Sequence, residues 1–252
     1  MRVRFFALCT FVLFWYVIVF SRIVELPYPH KVFLVFFCLL FHPEPVLGKT
    51  LIEHAIASIF RVLIASFIAF VIAIPLGVAM GWFERLNLFA STIVEVLRPI
   101  PPLAWIPLAY ILFSKLSNPT QTAQFFIVFI GAFFPCLISV VDAARNTPSE
   151  LIEMARAFNA NNRKILSSIV LPHSLQGIVT GVRIGLGVGW MSIIAAEMLA
   201  TSGAGLGYFI MVMYEVGGRI AEIISGMTLI GIIGYVMNLL LLKIERVVMP
   251  WR

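Results

Sequence analysis

The residues of this chain that could do chemistry are few and widely spaced. Gly48-Lys49-Thr50 looks like the end of a phosphate-binding loop, whose backbone N–H groups and lysine would cradle a nucleotide. Such a loop needs a glycine five residues before Gly48, where this chain has Pro43, and it needs a preceding strand, which the pattern does not offer. The match is therefore rejected as an ATP site. His54 and His173 stand alone, and the apolar stretches hold no His pair, no Asp pair and no Ser/His/Asp set, so an enzyme within the membrane is not supported. Arg183, Glu197 and Glu215 are the candidate ionisable groups for an ion-coupled pathway, and all three read as lying near the membrane interfaces. Cys9, Cys38 and Cys136 have no metal-ligand spacing and form no disulfide framework; they read as small hydrophobes, and no metal site is expected.

Composition explains this scarcity. The 252 residues are 61% hydrophobic and only 12% charged, with 22 Phe. A soluble domain carries about 25% charge, so this is an integral membrane protein, all-α and polytopic. The net charge of +6 comes without a basic cluster interleaved with aromatics, which argues against nucleic acid and for basic cytoplasmic loops.

Residues 147–172, TPSELIEMARAFNANNRKILSSIVLP, form the longest polar-rich interval between the apolar runs. Thr147 can cap a helix, Pro148 suits its first position, and Glu150 sits where a capping box wants an acid. Leu151, Met154, Ala155 and Phe158 recur at helical spacing and share one face. Asn159 can take a left-handed backbone and end the helix; a second short helix follows, which Pro172 should stop.

Glu153, Ala155, Asn159, Ala160, Ile169, Leu171 and Pro172 resemble the EAA loop of ABC-importer permeases. The family pattern runs Glu-Ala-Ala, three residues, Gly, nine residues, Ile, one residue, Leu-Pro. Here Met154 replaces the first Ala and Asn159 replaces the Gly. LPYPHKV near residue 30, IPLGVAMG at 74–81, AEML at 196–199, GLGY at 205–208 and the ending ERVVMPWR are similar to the branch that carries nitrate, sulfonate and taurine. The resemblance implies a homodimeric permease in the bacterial inner membrane. It also implies a cytoplasmic ATPase dimer that binds ATP and Mg, and an extracytoplasmic substrate-binding protein. It makes residues 142–172 the ATPase-coupling loop, with Leu151, Met154, Ala155 and Phe158 burying their stripe at the joint and Glu153 and Arg156 flanking it. No cofactor is expected on this chain. The alternative, from pattern alone, is a secondary transporter or channel that works without an ATPase.

About six spans should position that loop. The first is read at 5–23 and retained rather than cleaved, because no small-residue site follows it. Residues 32–41 are too short to cross and should lie at the outer side, so residues 1–50 form an N-terminal span with an outer connecting segment. Residues 51–252 form the permease core. Its spans are read at 62–82, 103–113, 122–141, after Pro172, and at 223–242; residues 84–98 are read as a loop and TSGAGLG at 201–207 as a flexible outer loop. Gly177, Gly181, Gly185 and Gly189 recur every fourth residue, a ridge that lets another helix of the same bundle approach closely. Of the Lys and Arg residues, eleven fall on the side holding both termini and the 147–172 loop, and five on the other; Arg61 and Arg183, at or within helix ends, are left out. The richer side is the cytoplasm.

Overall fold

The computed structural model describes residues 2–21, 25–199 and 203–249. Among them the chain is helical, with no strand. In chain order the helices are α1 (Arg2–Phe20), α2 (Pro29–Phe41), α3 (Leu51–Trp82), α4 (Glu84–Leu97), a short turn at Pro102–Trp105 leading into α5 (Ile106–Phe113), and α6 (Pro119–Arg145). They continue with α7 (Ser149–Ala157), α8 (Asn162–Ile165), α9 (Leu171–Leu199), α10 (Leu206–Val216) and α11 (Ile220–Val248).

Four helices among the described residues are long and apolar enough to cross a membrane: α3, α6, the run 162–199 and α11. A fifth crossing is available if α4 and Pro102–Phe113, bent by 88° at their break, count as one. The first expected span corresponds to α1, whose 19 residues extend about 28 Å; residues 22–24, where that span was expected to end, lie outside the described residues. Pro29 starts α2 at the position where a missing N–H costs nothing.

Two expectations change here. Glu84–Leu97 form a helix where 84–98 was expected as a loop: Leu86, Ala90 and Val94, at helical spacing, pack on the core of α3 and α6, while Ile93 faces outward. The GLG segment also starts a helix. Leu206, Phe209, Ile210 and Met213 are buried at spacings of three, four and seven, and this burial makes α10 a packed helix that takes in Leu206 and Gly207, the end of the expected outer loop.

The chain divides into two compact units. One comprises Met1–Ser58 and Glu197–Ile233. Within it, Gly48-Lys49-Thr50 is the entry to α3. Glu53 accepts from the Thr50 N–H at 2.7 Å, and Thr50 Oγ1 accepts from the Glu53 N–H at 3.2 Å, a reciprocal cap at the start of α3. Glu44 is buried and accepts from the N–H groups of Val46 and Leu47 while facing Arg219 at 3.6 Å. Glu197, expected near an interface, is fully buried. Its carboxylate accepts from Ser58 Oγ and from the Gly207 N–H at 3.1 Å; Ser58 Oγ in turn accepts from the Leu206 N–H, and His54 Nδ1 accepts from the Gly205 N–H.

The other unit comprises Ile59–Ala196 and Gly234–Arg252. Its core is the α3–α6 contact around Ala73, Val78, Cys136, Leu137 and Val140. A Cβ added to Gly77 would come within 2.8 Å of Val140, so the small residue sets that helix spacing. The glycine ridge of α9 meets α6 in the same way. A Cβ at Gly181 would lie 3.0 Å from the Cys136 carbonyl oxygen, and one at Gly185 would lie 2.6 Å from that of Ala132. Gly177 faces Ala143 and Ser139, and Gly189 faces Ser66 and Val128. Arg183 pairs with Glu245 at 3.1 Å.

Candidate functional site

The segment between α6 and α9 is built from its capping chemistry outward. Thr147 does not cap α7. It is buried, and its Oγ1 donates to the Ala144 carbonyl at 2.9 Å, closing α6 instead. Pro148, with φ −55° and ψ 127°, takes the cap position, and α7 begins at Ser149. The reason is geometric: Pro148 holds extended backbone that turns the chain sharply, and the Thr147 hydroxyl finds the last carbonyls of α6 nearer than the first N–H groups of α7.

The far end of α7 follows the expectation. Asn159 has φ 56°, and it is the sole non-glycine residue with positive φ among the described residues. Its N–H donates to the Arg156 carbonyl at 2.9 Å, and the Ala160 N–H donates to the Ala155 carbonyl at 3.0 Å. This paired closure is the left-handed helix end that usually carries Gly, and Asn tolerates it. Asn161 then caps α8 by accepting from the Lys164 N–H at 2.8 Å.

Pro172 does not stop the second helix. After α8 the chain makes one wide turn at Leu166–Val170, with the Leu171 N–H reaching back to Leu166, and runs straight into α9. A wide turn makes room for the proline ring and dispenses with the N–H that Pro172 lacks.

The four-residue apolar stripe divides. Leu151, Met154 and Phe158 are exposed, with Phe158 82% accessible. Ala155 turns inward, and with Ile152, which the stripe did not include, it packs against Ala144, Ile165 and Val170. Ala160 and Ile169 join the same cluster. Glu153 and Arg156 are exposed beside the outward residues, and Leu171 is exposed at the start of α9. A short helix is thus anchored on one side and left apolar on the other. Pro172 and His173 line a cavity of about 650 Å³ with Ser139, Asn146, Gln176 and Thr180.

This arrangement coincides with a family match. Residues 73–251 match the model of the binding-protein-dependent transport system inner membrane component. The chain belongs to this family. A putative ABC transporter permease of Methanocaldococcus jannaschii is 43% identical over 215 residues, 84% of this chain and 79% of that protein. The taurine transport system permease protein of Escherichia coli K12 is 32% identical over 83% of this chain and 74% of its own length. The bicarbonate transport system permease protein of Synechococcus elongatus is 34% identical over 79% of this chain and 70% of its own. Among solved structures, the inward-facing MetNI methionine ABC transporter matches with a TM-score of 0.69 at 22% identity, covering 79% of this chain and 95% of that one. At that identity the likeness shows the fold.

The chain is therefore a membrane-spanning ABC importer permease. The permease's buried polar set of His54, Ser58 and Glu197 was not legible as a unit. AEML and GLGY were both noticed, but the spacing of residues 54, 58, 197 and 205 carries no local period that would join them.

Proposed function

We propose that this permease carries a small oxyanion-bearing solute such as taurine, nitrate or bicarbonate across the bacterial inner membrane. It works as a homodimer of six-span chains with both termini cytoplasmic, residues 51–252 forming the transport core. A soluble binding protein delivers the solute from outside. A cytoplasmic ATPase dimer binds ATP and Mg, closes, and pushes on the 142–172 segment.

One observation carries this reading: Leu151, Met154 and Phe158 stand exposed on a nine-residue helix whose opposite side is anchored by Ile152 and Ala155. A polar cytoplasmic segment gains nothing by holding three large apolar groups in water, whereas a partner's groove would bury them. Anchoring through Ala144, Ile165 and Val170 ties the helix to α6 and to the start of the continuous run 162–199, so a push on α7 is passed to two long helical runs. The ridge of Gly177, Gly181, Gly185 and Gly189 keeps those two helices in close contact, which lets them move together. The named relatives that transport taurine and bicarbonate support the oxyanion class.

The test is uptake in proteoliposomes holding the permease, its ATPase and its binding protein, with labelled taurine, nitrate and bicarbonate as probes. Uptake of at least one should require internal ATP and all three components. Uptake at the same rate without the ATPase would establish a secondary transporter instead.

A further inference from the structure

We propose that Arg98 and Ser139 form an oxyanion-binding station in a cavity of about 400 Å³ beside the break between α4 and α5. The proposal rests on the oxyanion-importer reading and assigns its ligand chemistry to particular residues.

The argument begins with the break. Pro99, Pro101 and Pro102 end α4 and force an 88° bend before Pro102–Phe113 resumes. Irregular backbone between apolar helices persists where it lines a cavity, and such breaks are where transporters place binding groups. Arg98 sits at the last turn of α4, directly before this break. It lines the cavity together with Pro102, Phe134, Ile138, Ser139 and Ile184.

The walls are otherwise apolar, and the polar side chains among the lining residues are Arg98 and Ser139. Arg183 pairs with Glu245, and Arg219 with Glu44 and Glu222. Among the described residues no carboxylate lies within ion-pair distance of Arg98. Arg98 is exposed, so its guanidinium donors stay accessible to an anion that enters the cavity. Its planar donors match the paired oxygens of a sulfonate, nitrate or bicarbonate, and the Ser139 hydroxyl can add one more donor. A volume of this size falls within the range of small-molecule sites.

The experiment uses the full chain in phosphatidylcholine nanodiscs, with Cys9 and Cys38 changed to serine and Ile138→Cys as a reporter on the cavity wall. The chain without Ile138→Cys serves as the blank for Cys136. A methanethiosulfonate reagent bearing a sulfonate should modify the reporter about ten-fold faster than its trimethylammonium counterpart, because a charged cleft concentrates the opposite ion. Arg98→Gln should bring that ratio close to one, and Arg98→Lys should retain most of it. Millimolar taurine, nitrate or bicarbonate should slow modification when Arg98 is present and have no effect in Arg98→Gln. Ser139→Ala should weaken that protection without changing the charge ratio. An unchanged ratio in Arg98→Gln would overturn the proposal, as would a changed ratio with no protection by any of the three anions. Protection by phosphatidylglycerol alone would likewise overturn it, identifying a lipid headgroup as the ligand. ATP-driven uptake failing while protection persists would sink the importer reading and leave the anion station standing.

Discussion

Ser58 Oγ lies 2.8 Å from one oxygen of the Glu197 carboxylate and 3.0 Å from the other, joining residues 139 positions apart, both fully buried. The same carboxylate takes the Gly207 N–H, and the same hydroxyl takes the Leu206 N–H. These bonds hold the entry of α10 against the first turns of α3. A buried carboxylate is tolerated only where donors surround it, and here backbone and hydroxyl donors do so.

Removing that acceptor should destabilise the permease. Glu197→Ala leaves the Ser58 hydroxyl and the Gly207 N–H without this partner, at about 1–3 kcal/mol for each buried group. Thermal unfolding in detergent should show a clear drop for Glu197→Ala and a smaller one for Glu197→Gln, which keeps one acceptor oxygen. Parent-like stability of Glu197→Ala would show that the cluster contributes nothing.

The α9 glycines separate by what they face. An added Cβ at Gly185 meets the Ala132 carbonyl oxygen at 2.6 Å, and backbone cannot swing aside, so Gly185→Ala should cost about 1–3 kcal/mol by overpacking. Gly187, two residues on, has nothing within 4 Å of such an atom. Gly187→Ala should be neutral or stabilising, because alanine is the better helix former. Melting temperatures of the two variants, measured side by side, check this; equal effects would mean that the ridge does not set the α6–α9 spacing.

Phe158 separates partner docking from internal packing. At 82% exposure it fills no cavity in its own chain, so Phe158→Ala should leave the folded yield and melting temperature unchanged. It should weaken capture of the ATPase by roughly thirty-fold, the loss of about 2 kcal/mol typical of an aromatic anchor, and abolish transport. Co-purification run beside thermal stability reads both effects. Full-strength capture by the folded variant would move the joint away from α7.

Asn159 tests the corner by itself. With φ at 56°, Asn159→Gly should be tolerated, while Asn159→Val places a β-branched residue where it is strongly disfavoured. The valine variant should lose ATPase capture even though the Leu151, Met154 and Phe158 side chains remain. Equal capture by both variants would show that the left-handed turn does not aim the helix.

The charge split fixes an expected topology. Reporter fusions at Arg252 and at Ser117 should report opposite sides of the membrane, with Arg252 cytoplasmic. Finding both on one side would sink the six-span arrangement.

Local chemistry made much of this protein legible from its sequence. Apolar content specified a membrane protein, because long uncharged runs have no stable place in water. The period through Leu151, Met154 and Phe158 specified a helix, and Asn159 specified its end, because both depend on residues within one or two turns. The spacing from Glu153 to Pro172 pointed to the permease family, and the match over 73–251 agrees with it. Tertiary structure decided the rest. Which side of α7 faces outward depended on Ala144, Ile165 and Val170 claiming Ile152 and Ala155. Whether Pro172 stopped a helix depended on the wide turn before it, and whether 84–98 was loop or helix depended on the α3–α6 core that receives Leu86, Ala90 and Val94. The Glu197 cluster needed the most distant information of all. Hydrophobic period reports only that a helix has an apolar side, whereas a hydrogen bond between Ser58 and Glu197 depends on two helices placing one atom each within 3 Å.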